Sequence, residues 1–215
     1  MRLYLASTSP ARLATLRAAG VEPAGLISPG VDEDAVVASL SAARGRALTA
    51  SEIVYELARV KAEAVVGQLV DGEPIDGFIL GGDSAFELGG VVYGKPHTAD
   101  IARERWKLMA GNSGVLHSGH WLIDHRGGTA HGGRGAVEDA VVEFVPDISD
   151  AEVDAYIASG EPLAVAGAFT IDSRGQAFIR RIEGNPSTVI GLSIPLLRTL
   201  LRDGFDLGWH DFWNR

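Results

Sequence analysis

The stretch from Phe78 to Pro96, FILGGDSAFELGGVVYGKP, constrains this chain more than any other. Two short apolar runs of strand character meet at Gly89-Gly90, a pair suited to the positive φ angles of a tight hairpin turn. Gly81-Gly82 stand immediately before Asp83, and two residues without a Cβ let the backbone approach a neighbour closely. The pattern places Asp83 at a strand end and brings Lys95 back within reach of it after the hairpin. An acid and an ammonium held by strands and glycine hinges suit the binding and splitting of a phosphate ester. An acidic turn beside a surface lysine is the plainer alternative.

With 215 residues, 46% of them apolar, the chain is long enough for one sizeable core or two small lobes around a cleft. Its net charge of -9 argues against a broad nucleic-acid surface. A few placed cations still suffice for a small anion, and the surplus carboxylates are available for Mg2+ or Mn2+. The absence of cysteine excludes disulfides, thiolate catalysis and thiolate zinc sites. The opening MRLYLASTSPARL is too soon interrupted for a signal peptide, and no apolar run approaches the ~18 residues of a membrane span. A cytoplasmic protein that engages neither membranes nor nucleic-acid polymers is expected.

From the N-terminus, Leu3 to Ala6 read as a strand. Ser9 then reads as an N-cap, Pro10 as the first helical residue and Gly20 as the stop. Strand, hydroxyl-rich loop and helix start together make an anion-site geometry, with Arg12 in the first helical turn. A serine cap without a ligand is the alternative. Val21 to Ile27 suit a second strand. The run Asp32-Glu33-Asp34 gathers three like charges, which either face solvent or include one held by a cation, and Glu33 is the expected inward member. Residues 36–50 suit a short helix or flexible crossing, and Ser51 is expected to start a helix with Ile53, Leu57, Val60 and Ala64 as its stripe. Lys61 falls at the edge of that face, placed either to snorkel into solvent or to reach into a cleft.

Thr98 caps a further helix carrying Trp106 and Met109 inward. Val115 to Ile123 suit a strand broken at Ser118-Gly119, with AVVEFV at 140–145 as its partner. The histidines at 117, 120, 125 and 131 lack metal-ligand spacing and are as easily solvent-facing. Ser149 and Glu152 form a capping box. Ala166-Gly167-Ala168 marks a close backbone or ligand approach, Ser193 starts the last helix, and the aromatic tail FDLGWHDFWNR covers either a core edge or a partner.

Five stretches in register, LASTSPARLATL, VDED, ELARVKA, GGDSAFELGGVVYGKP and SGEPLAVAGAF with IEGNPSTVIGLSIPLL, resemble the Maf family of nucleoside triphosphate pyrophosphatases over nearly the whole chain. The resemblance implies a single α/β domain over residues 1–215, an elongated mixed-sheet fold with two lobes around a deep cleft, similar to inosine triphosphate pyrophosphatases. It also implies metal-dependent hydrolysis of a nucleoside triphosphate to the monophosphate and pyrophosphate, and a homodimer. By position, Ser9 and Arg12 fall in the family's phosphate-binding loop, where Ser7 joins them, and Glu33 on its acid. Lys61 and Lys95 match its two cleft lysines, Asp83 its catalytic acid, and Glu161 the acid of the GEP stretch. In the expected mechanism, Arg12, Lys61 and Lys95 hold the triphosphate. Glu33 and Asp83 hold the cation, and Asp83 serves the water that attacks the alpha phosphorus.

The chain departs from the family at three points. Ala11 replaces the first loop arginine, which keeps open a rival reading as a non-catalytic nucleotide-binding protein linked to cell division. Ser84 follows the catalytic acid, where threonine or glutamine is usual. AGAFTIDSRG stands where dTTP and UTP hydrolases read AGAYGIQG, so Asp172 lies near the base-reading glutamine. A carboxylate accepts from the donors of a guanine edge but cannot donate to a pyrimidine carbonyl. Phe169 and the small residues beside it leave room for a flat ring. A purine nucleotide, modified or non-standard, is therefore expected in preference to dTTP or UTP.

Overall fold

A computed structural model describes residues 1–214. In chain order the strands are β1 (Leu3–Ala6), β2 (Gly25–Leu26), β3 (Leu69–Val70), β4 (Glu73–Pro74), β5 (Gly77–Leu88), β6 (Val91–Tyr93), β7 (Ser113–His125), β8 (Gly133–Phe144) and β9 (Ile179–Glu183). The helices are α1 (Pro10–Ala18), α2 (Glu33–Arg44), α3 (Ala50–Glu63), α4 (Ala99–Met109), α5 (Asp150–Ala158), α6 (Pro186–Ile190) and α7 (Ile194–Phe205).

One mixed sheet runs in the order β2-β1-β5-β7-β8-β9, with β6 added to β5, and β3 and β4 pair separately as a small antiparallel ribbon. β1 runs parallel to both β2 and β5, whereas β5, β7, β8 and β9 form an antiparallel series. Parallel pairing of β1 with β5 obliges the intervening chain to cross over, and α1, α2 and α3 lie in that crossover. The long pair β5 and β7 stays in register from Gly77↔His125 to Glu87↔Val115. Among the described residues, no helix is long and apolar enough to cross a membrane.

Apolar side chains gather at three places along β5 and β7. Phe78 and Leu80 meet α1, α7 and Phe212, while Ile79 meets Ala62 and Val65 at the end of α3. Phe86 meets an aromatic group of Trp106, Phe144, Tyr156 and Phe169, packed edge to face at centroid separations of 5.0–6.0 Å. Asp83 lies between these cores along β5.

The helix α3 rests on the sheet almost backbone to backbone. A Cβ added at Gly81 would run into the Ala58 carbonyl oxygen, and one added at Gly119 into that of Val54, one helical turn earlier. Gly119 therefore does not break β7, as local propensity suggested; the strand runs unbroken through Ser118-Gly119, and the glycine makes room for the helix. β8 likewise starts earlier than expected, at Gly133.

Several local signals hold. Ser9 Oγ accepts the Arg12 N-H at the start of α1, Gly20 adopts φ 83°, and Ser149 and Glu152 close their capping box. The hairpin turn has φ 60° at Gly89 and 79° at Gly90. Other details differ. β2 is only two residues long, because Pro23 lies within the expected run and has no N-H to donate. Asp32 caps α2, so the crossing at residues 36–50 is largely helical. Thr49, not Ser51, caps α3 through a box with Glu52. His117, His120 and His125 are buried rather than solvent-facing, and the tail closes a core edge by inserting Phe212 against Phe78. Asp83 is not at a strand end but midway along β5.

Gly119→Ala should therefore push α3 off the sheet, with a cost of about 1–3 kcal/mol for overpacking. At this chain length each kcal/mol lowers the melting temperature by about 2–4 °C. An unchanged melt would mean that the helix can lift without loss.

Candidate active site

The site begins where one edge of β5 is left bare. β1 pairs with β5 only as far as Gly81, and β6 takes up the same edge from Phe86. Between these points the chain leaving β1 turns away through Ser7-Thr8-Ser9 into α1. A cleft of about 840 Å3 opens there, and Asp83 and Ser84 line it. Alternation along β5 sends Asp83 toward α3 and Ser84 toward α1.

Lys61 reaches Asp83 because α3 lies so close. Its buried face is Val54, Leu57, Ala58, Lys61 and Ala62, so the lysine belongs to the face itself rather than its edge. Lys61 Nζ lies 2.6 Å from Asp83 Oδ1 and 2.6 Å from Glu33 Oε1. The lysine and aspartate side chains are 9% and 11% exposed, whereas Glu33 is 52% exposed at the first turn of α2. Glu33 is thus the member of its acidic run held by a cation, but from the solvent side. Burial pushes the Asp83 carboxyl up from its ordinary value, opposed by Lys61 and Arg12 and reinforced by Glu33.

Arg12 closes the base of the cleft. Its Nε donates to the Gly191 carbonyl at 2.8 Å, Nη1 to Ser7 Oγ at 3.2 Å and Nη2 to Ser84 Oγ at 3.1 Å. All three acceptors are neutral, so the positive charge is positioned without being neutralised, and two of the five N-H groups remain for a ligand. Burial lowers the guanidinium from its ordinary value, while Asp83 and Glu33 raise it. An arginine so placed stays charged. Its partner Gly191 sits at φ 109° after α6, in a turn that the sequence offers no means of linking to Arg12, since the contact is to a main-chain oxygen.

The cleft brings together most of the residues singled out from sequence. Ser7, Ser9, Arg12, Glu33, Lys61 and Asp83 line one part, and Lys95, Phe169 and Asp172 another. Lys95 is exposed, and among the described residues it is Lys61, not Lys95, that pairs with Asp83. Phe169 is 4% exposed and wedged against Phe86 and Phe144, which makes it a fixed wall. Glu161 does not line the cleft. It accepts from Thr170 Oγ1 at 2.5 Å, Ser173 Oγ at 2.9 Å and the N-H groups of Arg174 and Gly175 at 3.3 and 3.1 Å. Partial burial pushes this carboxyl up, but those donors prevail and bring it down to about 2. Its place is behind the loop that carries Thr170, Ile171 and Asp172 to the cleft wall. The acid of the GEP stretch is therefore a loop anchor.

Among the described residues, no three His, Asp or Glu side chains converge as a metal site. Glu33 and Asp83 do converge on one point, now bridged by the Lys61 ammonium. Two carboxylates suit a hard cation that keeps water and phosphate oxygens as its other ligands, so the residues fit Mg2+ or Mn2+.

Lys61→Met should leave Asp83 buried without its cation, at a cost of about 3–5 kcal/mol at neutral pH. Glu33→Gln should cost far less, because that carboxylate faces solvent. The sign of the pH effect follows from the raised Asp83 value: the folded state disfavours the ionised form, and the penalty fades as the acid protonates. The melting deficit of Lys61→Met relative to the parent should shrink on acidification; a deficit constant with pH would assign it to lost packing.

The Maf-like protein family matches residues 2–204. A nucleoside triphosphate pyrophosphatase of Leifsonia xyli subsp. xyli is 60% identical over 215 residues, covering 100% of this chain and 98% of that protein. Proteins of the same description from Salinispora tropica and Rhodococcus opacus are 46% and 47% identical, over 100% and 97% of this chain and 88% and 94% of their own lengths. With a match that runs through β1, α3, β5 and the turn at Gly191, the chain belongs to the Maf-like protein family.

Proposed function

We propose that this chain hydrolyses a nucleoside triphosphate to the monophosphate and pyrophosphate. The observation that carries the reading is the buried pair of Lys61 and Asp83 at the bare edge of β5, with the unneutralised Arg12 beside it. The description shared by the relatives supports it. A triphosphate brings several negative charges, and Arg12, Lys61 and Lys95 offer cations from three elements of the cleft wall. Ser7 and Ser9, at the start of α1, add hydroxyls and the positive end of a helix dipole. Glu33 and Asp83 would hold Mg2+ or Mn2+, which offsets charge on the phosphates when bound.

Asp83 then takes a proton from the water that attacks the alpha phosphorus. The bond from that phosphorus to the bridging oxygen breaks, and pyrophosphate leaves with the bonding electrons. Phosphoryl chemistry of this kind depends mainly on positioning and charge neutralisation. A carboxyl raised by burial is a better proton acceptor than an ordinary one, and Lys61 at 2.6 Å favours its ionised form. For the base, Asp172 and the loop behind it favour the donor edge of a purine over a pyrimidine.

A panel of nucleoside triphosphates assayed with Mg2+ or Mn2+ should yield pyrophosphate, with purines ahead, and EDTA should abolish turnover. Orthophosphate as the only product, or no turnover at all, would overturn the reaction; undiminished turnover in EDTA would remove the cation; a pyrimidine-only profile would overturn the base preference.

Asp83→Asn should lower turnover roughly 10^2- to 10^4-fold while retaining nucleotide binding. Lys61 keeps Glu33 as a partner, so the variant should fold. In the parent, kcat/KM should fall on acidification through a pKa above the ordinary carboxylate value, because only ionised Asp83 accepts the proton. The asparagine variant should lack that limb. Turnover within tenfold of the parent would leave Asp83 as a structural residue.

A further inference from the structure

We infer that Glu138 is a positioning residue for the phosphate site, acting on Arg12 through the turn that ends α6. The inference rests on the pyrophosphatase reading. Glu138 lies on β8, opposite Ser118 of β7. Its carboxylate accepts from Asn185 Nδ2 at 2.5 Å, from Thr188 Oγ1 at 3.4 Å and from the Ser193 hydroxyl. Those donors stand at the start, middle and end of one turn, residues 185–193, and Thr188 and Ser193 are fully buried. One carboxylate thus spans the whole turn from behind.

β7 secures the same turn from a second direction. Ser118 Oγ donates to the Thr188 carbonyl at 2.8 Å, and His120 Nε2 accepts the Ser193 N-H at 2.9 Å. His120 fills that acceptor role because it stays neutral: burial first, and then Arg12, lower it to about 3. Its Nδ1-H donates to the Ser118 carbonyl at 3.2 Å.

The turn presents the Gly191 carbonyl to the cleft, where it accepts from Arg12 Nε. A planar guanidinium fixed at Nε has its two remaining N-H groups fixed in direction as well. With Ser7 and Ser84 holding the two Nη atoms, the Gly191 carbonyl completes the set of acceptors that aim Arg12, and Glu138 supplies the carboxylate that holds the turn behind it. A carboxylate with three turn donors is costly to replace, since each buried donor left alone loses its partner.

The test is a double-mutant cycle on binding of inorganic tripolyphosphate, measured by calorimetry with Glu138→Ala, Arg12→Ala and the pair. Glu138→Ala should weaken affinity roughly threefold to thirtyfold, the scale of indirect coupling. The double variant should bind no more weakly than Arg12→Ala alone, because Glu138 has nothing to position once the guanidinium is gone. In turnover, Glu138→Ala should raise KM more than it lowers kcat. Additive losses in the cycle, or unchanged affinity in a folded Glu138→Ala chain, would overturn the inference. If the alanine variant does not fold, Glu138→Gln, which keeps an acceptor oxygen, is read by the same cycle and should show a smaller, equally non-additive loss. A parent chain that fails to bind tripolyphosphate would overturn the pyrophosphatase reading and this inference together. Binding by the parent with Arg12→Ala impaired and both Glu138 variants unaffected would overturn this inference alone.

Discussion

The close approach of α3 to the sheet is the constraint on which the rest of the site depends. Gly81 on β5 and Gly119 on β7 remove the two side chains that would hold the helix away. Only then does Lys61, about three turns along α3, come within 2.6 Å of Asp83. An unpartnered lysine on a buried helix face would carry a large desolvation cost, and so would an unpartnered aspartate in the middle of a strand. Each makes the other tolerable, and neither is held by a flexible loop.

The second arginine-centred layer is built on the opposite face of the same strand. Ser84 Oγ accepts from Arg12 and contacts Ser118 Oγ at 3.0 Å, and Ser118 in turn reaches the α6 turn. Carboxylate chemistry thus sits on the α3 side and guanidinium chemistry on the α1 side, with β5 between them. Arg12 is held by neutral acceptors, while Lys61 is held by charged ones. The two cations are therefore not equivalent: Arg12 is hydrogen-bonded to neutral acceptors and feels Asp83 and Glu33 only through space, whereas Lys61 contacts both carboxylates directly.

Much of this was legible in the sequence where local chemistry decides the outcome. The Ser9 cap, the Ser149 and Glu152 box and the Gly89-Gly90 turn depend on residues within a few positions of one another, and each was readable. Features set by distant partners were not. Gly119 looked like a strand breaker because its local propensity is poor, whereas its reason is the Val54 carbonyl. Periodicity sets Lys61 at the edge of its face, with snorkelling and reaching into a cleft both open; its burial is decided by an aspartate 22 residues on. The burial of the histidines stays open in the sequence for the same reason, since His120 needs the Ser193 N-H and His125 the Ile75 carbonyl, both remote. Glu161 shows a further limit. A resemblance can mark a position without saying whether it faces a ligand or holds the loop that does.

The strand β5 also works as a counting device. Asp83 and Ser84 are adjacent, so their assignment to opposite faces is a matter of parity, and a slip of one residue would exchange them. The acid would then meet the guanidinium layer, and the hydroxyl would meet Lys61, leaving that ammonium with Glu33 alone. Two clamps forbid the slip: the parallel pairs of β1 end at Gly81, and the antiparallel pairs of β6 begin at Phe86. Between the clamps the number of residues is fixed, so an insertion or deletion there would invert the site. Beyond them, in the Gly89-Gly90 turn, length can vary without disturbing which residue faces which side.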